Sequence, residues 1–176
     1  RHRVEHAQIL HPNDLPRFAD LDVIASVQPT HATSDMPWAD ERLGDERLQT
    51  SYAWKSLIDS GAQVAFGSDF PVEDVNPLEG IYAAVTRQDA DGNPEDGWMP
   101  SEKVSRERAL RGFTLDAAYA AFQEDEVGSL EAGKRADFVV LSKDIMEIPA
   151  PEILETDVVA TYIGGEAVFT AAGWSE

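Results

Sequence analysis

The chain has 176 residues, 43% of them hydrophobic, which is enough for one ordinary domain with a real core. Thirty-three acidic against fourteen basic residues give a formal net charge of -19, so most of the surface repels nucleic acid and anionic membranes. With no cysteine, disulfides and thiolate metal sites are excluded, and any metal must be held by His, Asp or Glu.

No apolar run approaches the roughly 18 residues of a membrane helix, and the start lacks the basic, apolar and small-residue regions of a signal peptide. The first residue is Arg1, which suggests a fragment or a processed chain. The absence of cysteine does not identify a compartment.

In chain order, residues 1–7 alternate polar with small apolar residues and predict a short strand ending near His6. His11-Pro12-Asn13-Asp14 predicts a loop and a helix cap, and residues 14–20 a short helix. The β-branched run 23–27 predicts a buried strand halted by Gln28-Pro29, followed by a polar loop over Thr30–Trp38. Residues 46–60 predict a helix ended by Gly61, and the stretch "QVAFGSDFP" (63–71), an apolar run that stops at Asp69, is the next strand.

Asn76-Pro77 supplies a cap and a first-turn proline for a helix over 78–87. The order strand, helix, strand, helix, strand, helix is that of parallel α/β units. After a surface loop at 89–100, residues 104–122 predict two helices meeting near Gly112-Phe113-Thr114. From residue 127 the pattern changes to a turn-rich stretch, a strand over 137–141, and a hairpin of 158–163 and 166–169 joined by Gly164-Gly165.

Ligands of parallel α/β folds gather at the C-terminal ends of strands. Here those ends carry His6, then Gln28, Thr30 and His31, then Asp69. Imidazole and carboxylate on neighbouring strand ends suit a divalent metal, and His6 with Asp69 makes a partial site. The plainer alternatives are a hydrogen-bonded structural histidine and an aspartate that forms a turn or cap. His31 is a substrate or metal group or an ordinary surface histidine, and Trp38 a pocket wall or a rim residue packed on the surface. No HxH, HExxH, G-x-S-x-G or phosphate-loop pattern is present.

The stretches "HRVEHAQ" (2–8), "VQPTHATSDMPWADERLG" (27–44) and "FGSDFPVEDVNPL" (66–78) closely resemble the last three barrel strands of the metal-dependent amidohydrolase superfamily, in the family 3 branch of N-substituted formamide deformylases. "GSLEAGKRADFVVL" (128–141) and "VVATYIGGEAVF" (158–169) resemble the small β domain beside that barrel. The resemblance implies an α/β fold in which residues 1–126 are the last three βα units of a TIM-like (β/α)8 barrel and 127–176 a small β-sandwich-type domain.

It further implies hydrolysis of C–N bonds in small amide-type molecules with a divalent metal, usually zinc. His6 matches the metal-binding histidine of the sixth strand, and Asp69 the eighth-strand aspartate that binds the metal or takes the proton of attacking water. Gln28, Thr30, His31 and Trp38 are then expected on the substrate side. The family's first-strand HxH pair, fourth-strand ligand and fifth-strand histidine have no counterpart here, so the chain is expected to be inactive alone. It is also expected to self-associate or to pair with the missing barrel half. The alternative of another class is a noncatalytic binding or regulatory module that keeps the fold remnant without metal.

Overall fold

The computed structural model describes residues 1–174. Strands β1 (Arg3–Glu5), β2 (Ile24–Val27) and β3 (Val64–Phe66) form a parallel sheet in the order β1-β2-β3. Between them lie helices α1 (Leu15–Asp20), α2 (Pro29–Leu48) and α3 (Trp54–Asp59), and α4 (Pro77–Thr86) follows β3. The parallel α/β order read from the hydrophobic pattern is therefore present. The register aligns Val4 with Ala25 and Val64, and Glu5 with Ser26 and Ala65.

This pairing gives the sheet two unlike faces, because side chains alternate across a strand. Ala25, Val27, Val64 and Phe66 enter the main core with Trp54, Leu57, Leu78 and Ile81 from the helices. Ile24 and Ala65 lie on the other face, in a small cluster with Ala120. An edge-on aromatic series runs from Trp54 to Phe66 (6.4 Å between centroids) and on to Phe113 (5.7 Å). It joins α3, β3 and α5 (Arg106–Phe113).

Helix α4 starts as its sequence requires. Asn76 Oδ1 accepts from the Leu78 amide at 3.1 Å and Pro77 occupies the first turn. Ser105 caps α5 in the same way, through the Arg108 amide at 3.2 Å. A second short helix, α6 (Leu115–Ala120), follows at Thr114, close to the predicted junction.

Two expectations fail. The segment Thr30–Trp38 is not a loop but the opening of α2, which runs on to a break at Gly44, where φ is 71°. Its Thr, Ser, Asp and Pro residues are poor helix formers, yet Pro29 sits in the first turn, and Thr30, His31, Ala32 and Ala39 are buried against the body. Burial outweighs propensity here. Nor is 46–60 one helix: residues 49–53 are irregular and α3 begins only at Trp54. The intervening backbone bonds instead to the segment leaving β1, with Tyr52 N donating to Gln8 O (2.6 Å) and Leu10 N to Thr50 O (3.2 Å).

The C-terminal part is an antiparallel sheet, β4 (Phe138–Leu141), β5 (Val158–Ile163) and β6 (Glu166–Thr170), in the order β4-β5-β6. Gly164 and Gly165 join β5 to β6 with φ of 60° and 83°, the paired positive values that favour glycine in a two-residue hairpin turn. Arg106 fastens the connection between β4 and β5 to α5, donating to the carbonyls of Ile145 and Ile148. Ile145 and Ile153 enter the main core.

Candidate active site

Each parallel strand delivers a polar side chain at its C-terminal end. The ladder continues one step past β1 and β3, with His6 N donating to Ser26 O (2.7 Å) and Gly67 N to Val27 O (3.1 Å). There the chain turns sharply, at φ of 69° for His6 and 58° for Asp69. Neither is glycine, and such backbone values cost on the order of 1–3 kcal/mol, a strain that concentrates at functional sites.

The turns bring three groups together. The rings of His6 and His31 lie 5.7 Å apart between centroids, and His31 Nε2 is 3.8 Å from Asp69 Oδ2. His31 stands in the first turn of α2 and is only 7% exposed, whereas the Asp69 side chain is 38% exposed. The buried Nε2 of His31 and Oγ1 of Thr30 have no hydrogen-bond partner among the described residues.

Two glutamines present opposite amide atoms to the two imidazoles. Gln28 Oε1 lies 2.9 Å from His6 Nδ1. A carbonyl oxygen only accepts, so a neutral His6 ring bonded to it would carry its proton on Nδ1 and leave the Nε2 lone pair for a metal. Gln8 Nε2 lies 3.1 Å from His31 Nδ1. An amide nitrogen only donates, so a neutral His31 ring bonded to it accepts at Nδ1 and would carry its proton on Nε2, which faces Asp69. A water-sized cavity of about 10 Å³, lined among others by His6, Gln8, Gln28 and Trp54, lies beside this pair.

Imidazole nitrogen and carboxylate oxygen suit zinc and related divalent ions, and His6 with Asp69 fits part of such a ligand set. The described residues contain no group of three or more His, Asp or Glu placed to hold a metal. A catalytic zinc takes about three protein ligands, so at least one further ligand would have to come from outside these residues.

Of the residues expected at the site, His6, Gln28, His31 and Asp69 meet at the strand ends, whereas Thr30, beside His31 in the first turn of α2, lines a separate cleft with Thr33, Ser34 and Glu73. Trp38 stands apart from them, 47% exposed beside Arg42 on the outer part of α2. Sequence reading missed Gln8, Asp35 and Tyr52. Asp35 Oδ2 accepts from the Tyr52 hydroxyl (2.6 Å) and lies 3.4 Å from Gln8 Nε2. Had α2 been recognised as a helix, the four-residue spacing from His31 to Asp35 would have pointed to Asp35.

The profile of the amidohydrolase family matches residues 1–169. The chain belongs to the amidohydrolase family. Similar proteins include Protein LONG AFTER FAR-RED 3 of Arabidopsis thaliana, 42% identical over 96% of this chain and 29% of its own length. N-substituted formamide deformylase of Arthrobacter pascens is 33% identical over 97% of this chain and 31% of its own. Among solved structures, a metal-dependent hydrolase from Pyrococcus horikoshii superposes with a TM-score of 0.74 at 30% identity, covering 84% of this chain and 30% of that one. This amidohydrolase chain therefore spans less than a third of the length of the curated relatives described here.

Proposed function

We propose that the chain is the C-terminal portion of a metal-dependent amidohydrolase that cleaves C–N bonds of small amide-type molecules, and that it is inactive by itself. In this reading residues 1–126 are the last three βα units of a TIM-like barrel and 127–176 a small β-sandwich-type domain, whose last two residues lie outside those described. The observation that carries the reading is the meeting of His6, His31 and Asp69 at the C-terminal ends of adjacent parallel strands. The 33% identity to a formamide deformylase supports the substrate class.

His6 would hold a divalent metal, zinc by family resemblance, through Nε2, and Asp69 through a carboxylate oxygen. Such a metal supplies Lewis-acid polarisation of the scissile carbonyl and acidifies water. Asp69 accepts the proton of the attacking water. It then returns the proton to the nitrogen as the C–N bond breaks, releasing an amine and a carboxylic acid. His31 presents its Nε2–H to the substrate, with Gln28 and Thr30 beside it.

The three-stranded sheet leaves β1 and β3 each paired on one side only, and Val4 of β1 is 44% exposed. Such edges favour pairing with another segment. The chain alone is accordingly expected to self-associate or to bind the remainder of the barrel, and a monodisperse monomer in solution scattering would count against this.

The deciding experiment assays the parent polypeptide against N-substituted formamides with metal analysis alongside. Asp69→Asn should abolish turnover while the circular dichroism spectrum is kept, and His6→Ala should lower both metal content and rate. Unchanged turnover in Asp69→Asn removes Asp69 from the mechanism, and full metal occupancy in His6→Ala defeats the ligand assignment.

A further inference from the structure

The contacts behind His31 form a directed series. Tyr52 is buried and its hydroxyl donates to Asp35 Oδ2 at 2.6 Å. The same oxygen lies 3.4 Å from Gln8 Nε2, which lies 3.1 Å from His31 Nδ1. The carboxylate can only accept, so Gln8 must turn its NH2 group toward Asp35 and with it toward His31. Facing a donor, His31 Nδ1 must accept, and the single ring proton of the neutral imidazole is forced onto Nε2. That nitrogen is buried, has no hydrogen-bond partner among the described residues, and lies 3.8 Å from Asp69 Oδ2.

We infer that Gln8, Asp35 and Tyr52 are positioning residues that lock His31 in its Nε2–H form, so that it donates a hydrogen bond to the substrate carbonyl oxygen as negative charge develops there. This rests on the hydrolase reading above, with Asp69 as the proton acceptor. A carbonyl oxygen seated between Asp69 and His31 would meet two acceptors if the tautomer were reversed. With Nε2–H it meets a donor fixed before the reaction begins, and a donor that need not reorganise stabilises the transition state more than the ground state. The partner glutamine at His6 sets the opposite tautomer, so one histidine is left to ligate and the other to donate.

Imidazole nitrogen-15 NMR of the chain at about pH 8, above the usual histidine titration range, reads the tautomer directly. A spectrum of His31→Asn identifies the His31 signals. The wild type should show a protonated Nε2 and an unprotonated Nδ1. Gln8→Glu replaces the donor with an acceptor and should move the proton to Nδ1. Asp35→Asn frees Gln8 to turn over and should shift the population the same way, which keeps the test decisive if Gln8→Glu does not fold.

In the parent polypeptide both variants should lower kcat about 10–100-fold, the usual cost of losing an orienting partner, with KM little changed. An unprotonated Nε2 in the wild type overturns the inference, as does a reversed tautomer in either variant with kcat intact. Full turnover in Asp69→Asn would instead defeat the hydrolase reading and leave the tautomer result standing.

Discussion

His6 Nδ1 and Gln28 Oε1 lie 2.9 Å apart, joining the ends of the first two parallel strands. The bond aims the ring of the proposed metal ligand and keeps its proton away from Nε2. Gln28→Leu, of similar size but without an acceptor, should therefore weaken metal affinity of the parent polypeptide about 10–100-fold. Gln28→Glu keeps an acceptor at the same place and should recover most of the loss. Competition with a coloured chelator measures both, and equal affinities in the two variants would show that the acceptor does not matter.

The order of the three parallel strands was legible because each apolar run stops at a polar strand end, and parallel sheets place such ends on one rim. Helix α2 was not legible. Its first nine residues hold Pro29, Thr30, Thr33, Ser34, Asp35 and Pro37, whose local preferences oppose a helix, while the burial of His31, Ala32 and Ala39 is visible only in three dimensions. Gln8, Asp35 and Tyr52 were missed for the same reason. They lie far apart in the chain and meet only because the irregular segment before α3 folds back on the exit of β1. Gly164-Gly165 was the opposite case, since a two-residue turn with positive φ is decided locally.

Arg87 is fully buried at the C-terminal end of α4, with its guanidinium 4.1 Å from the centroid of the Trp54 ring. It donates to the carbonyls of Tyr52 (2.9 Å) and Trp98 (2.8 Å), and burial pulls its pKa down to about 10 against the pull of Glu102. Arg87→Met fills similar volume but leaves both carbonyls without their donor. At about 1–3 kcal/mol for each unmet buried group, and about 2–4 °C per kcal/mol for a chain of this size, the melting temperature should fall by roughly 10 °C. A shift under about 2 °C in a thermal melt would mean that water or another donor replaces the guanidinium.

Helix propensity and packing make opposite predictions at two buried glycines. Replacing a helical glycine by alanine gains about 1 kcal/mol in isolation. At Gly80 of α4, however, an added Cβ would stand 2.3 Å from Phe113 Cζ, and at Gly112 of α5 it would stand 2.5 Å from Phe66 Cδ2. Both rings belong to the aromatic series through the core and cannot retreat without disturbing it. Overpacking of this kind costs about 1–3 kcal/mol. Gly80→Ala and Gly112→Ala should therefore both lower the midpoint of urea unfolding. A midpoint raised in either variant would show that the ring moves aside.

Tyr52 links stability to alkaline pH. Burial first, and then its bond to the Asp35 carboxylate, raise the phenol's pKa well above its ordinary value. In the unfolded chain the phenol ionises near pH 10. Folding retains the proton through a window in which the unfolded chain has released it, so stability falls with rising pH there. The contribution is fully present below about pH 10 and is lost as pH climbs toward the raised folded value, at up to about 1.4 kcal/mol per pH unit. Tyr52→Phe has no proton to lose. Between pH 9 and pH 11 its melting temperature should decline less steeply than that of the wild type, although at pH 8 it should lie lower for want of the hydrogen bond. Parallel declines would show that Tyr52 ionises as readily in the folded chain as in the unfolded one.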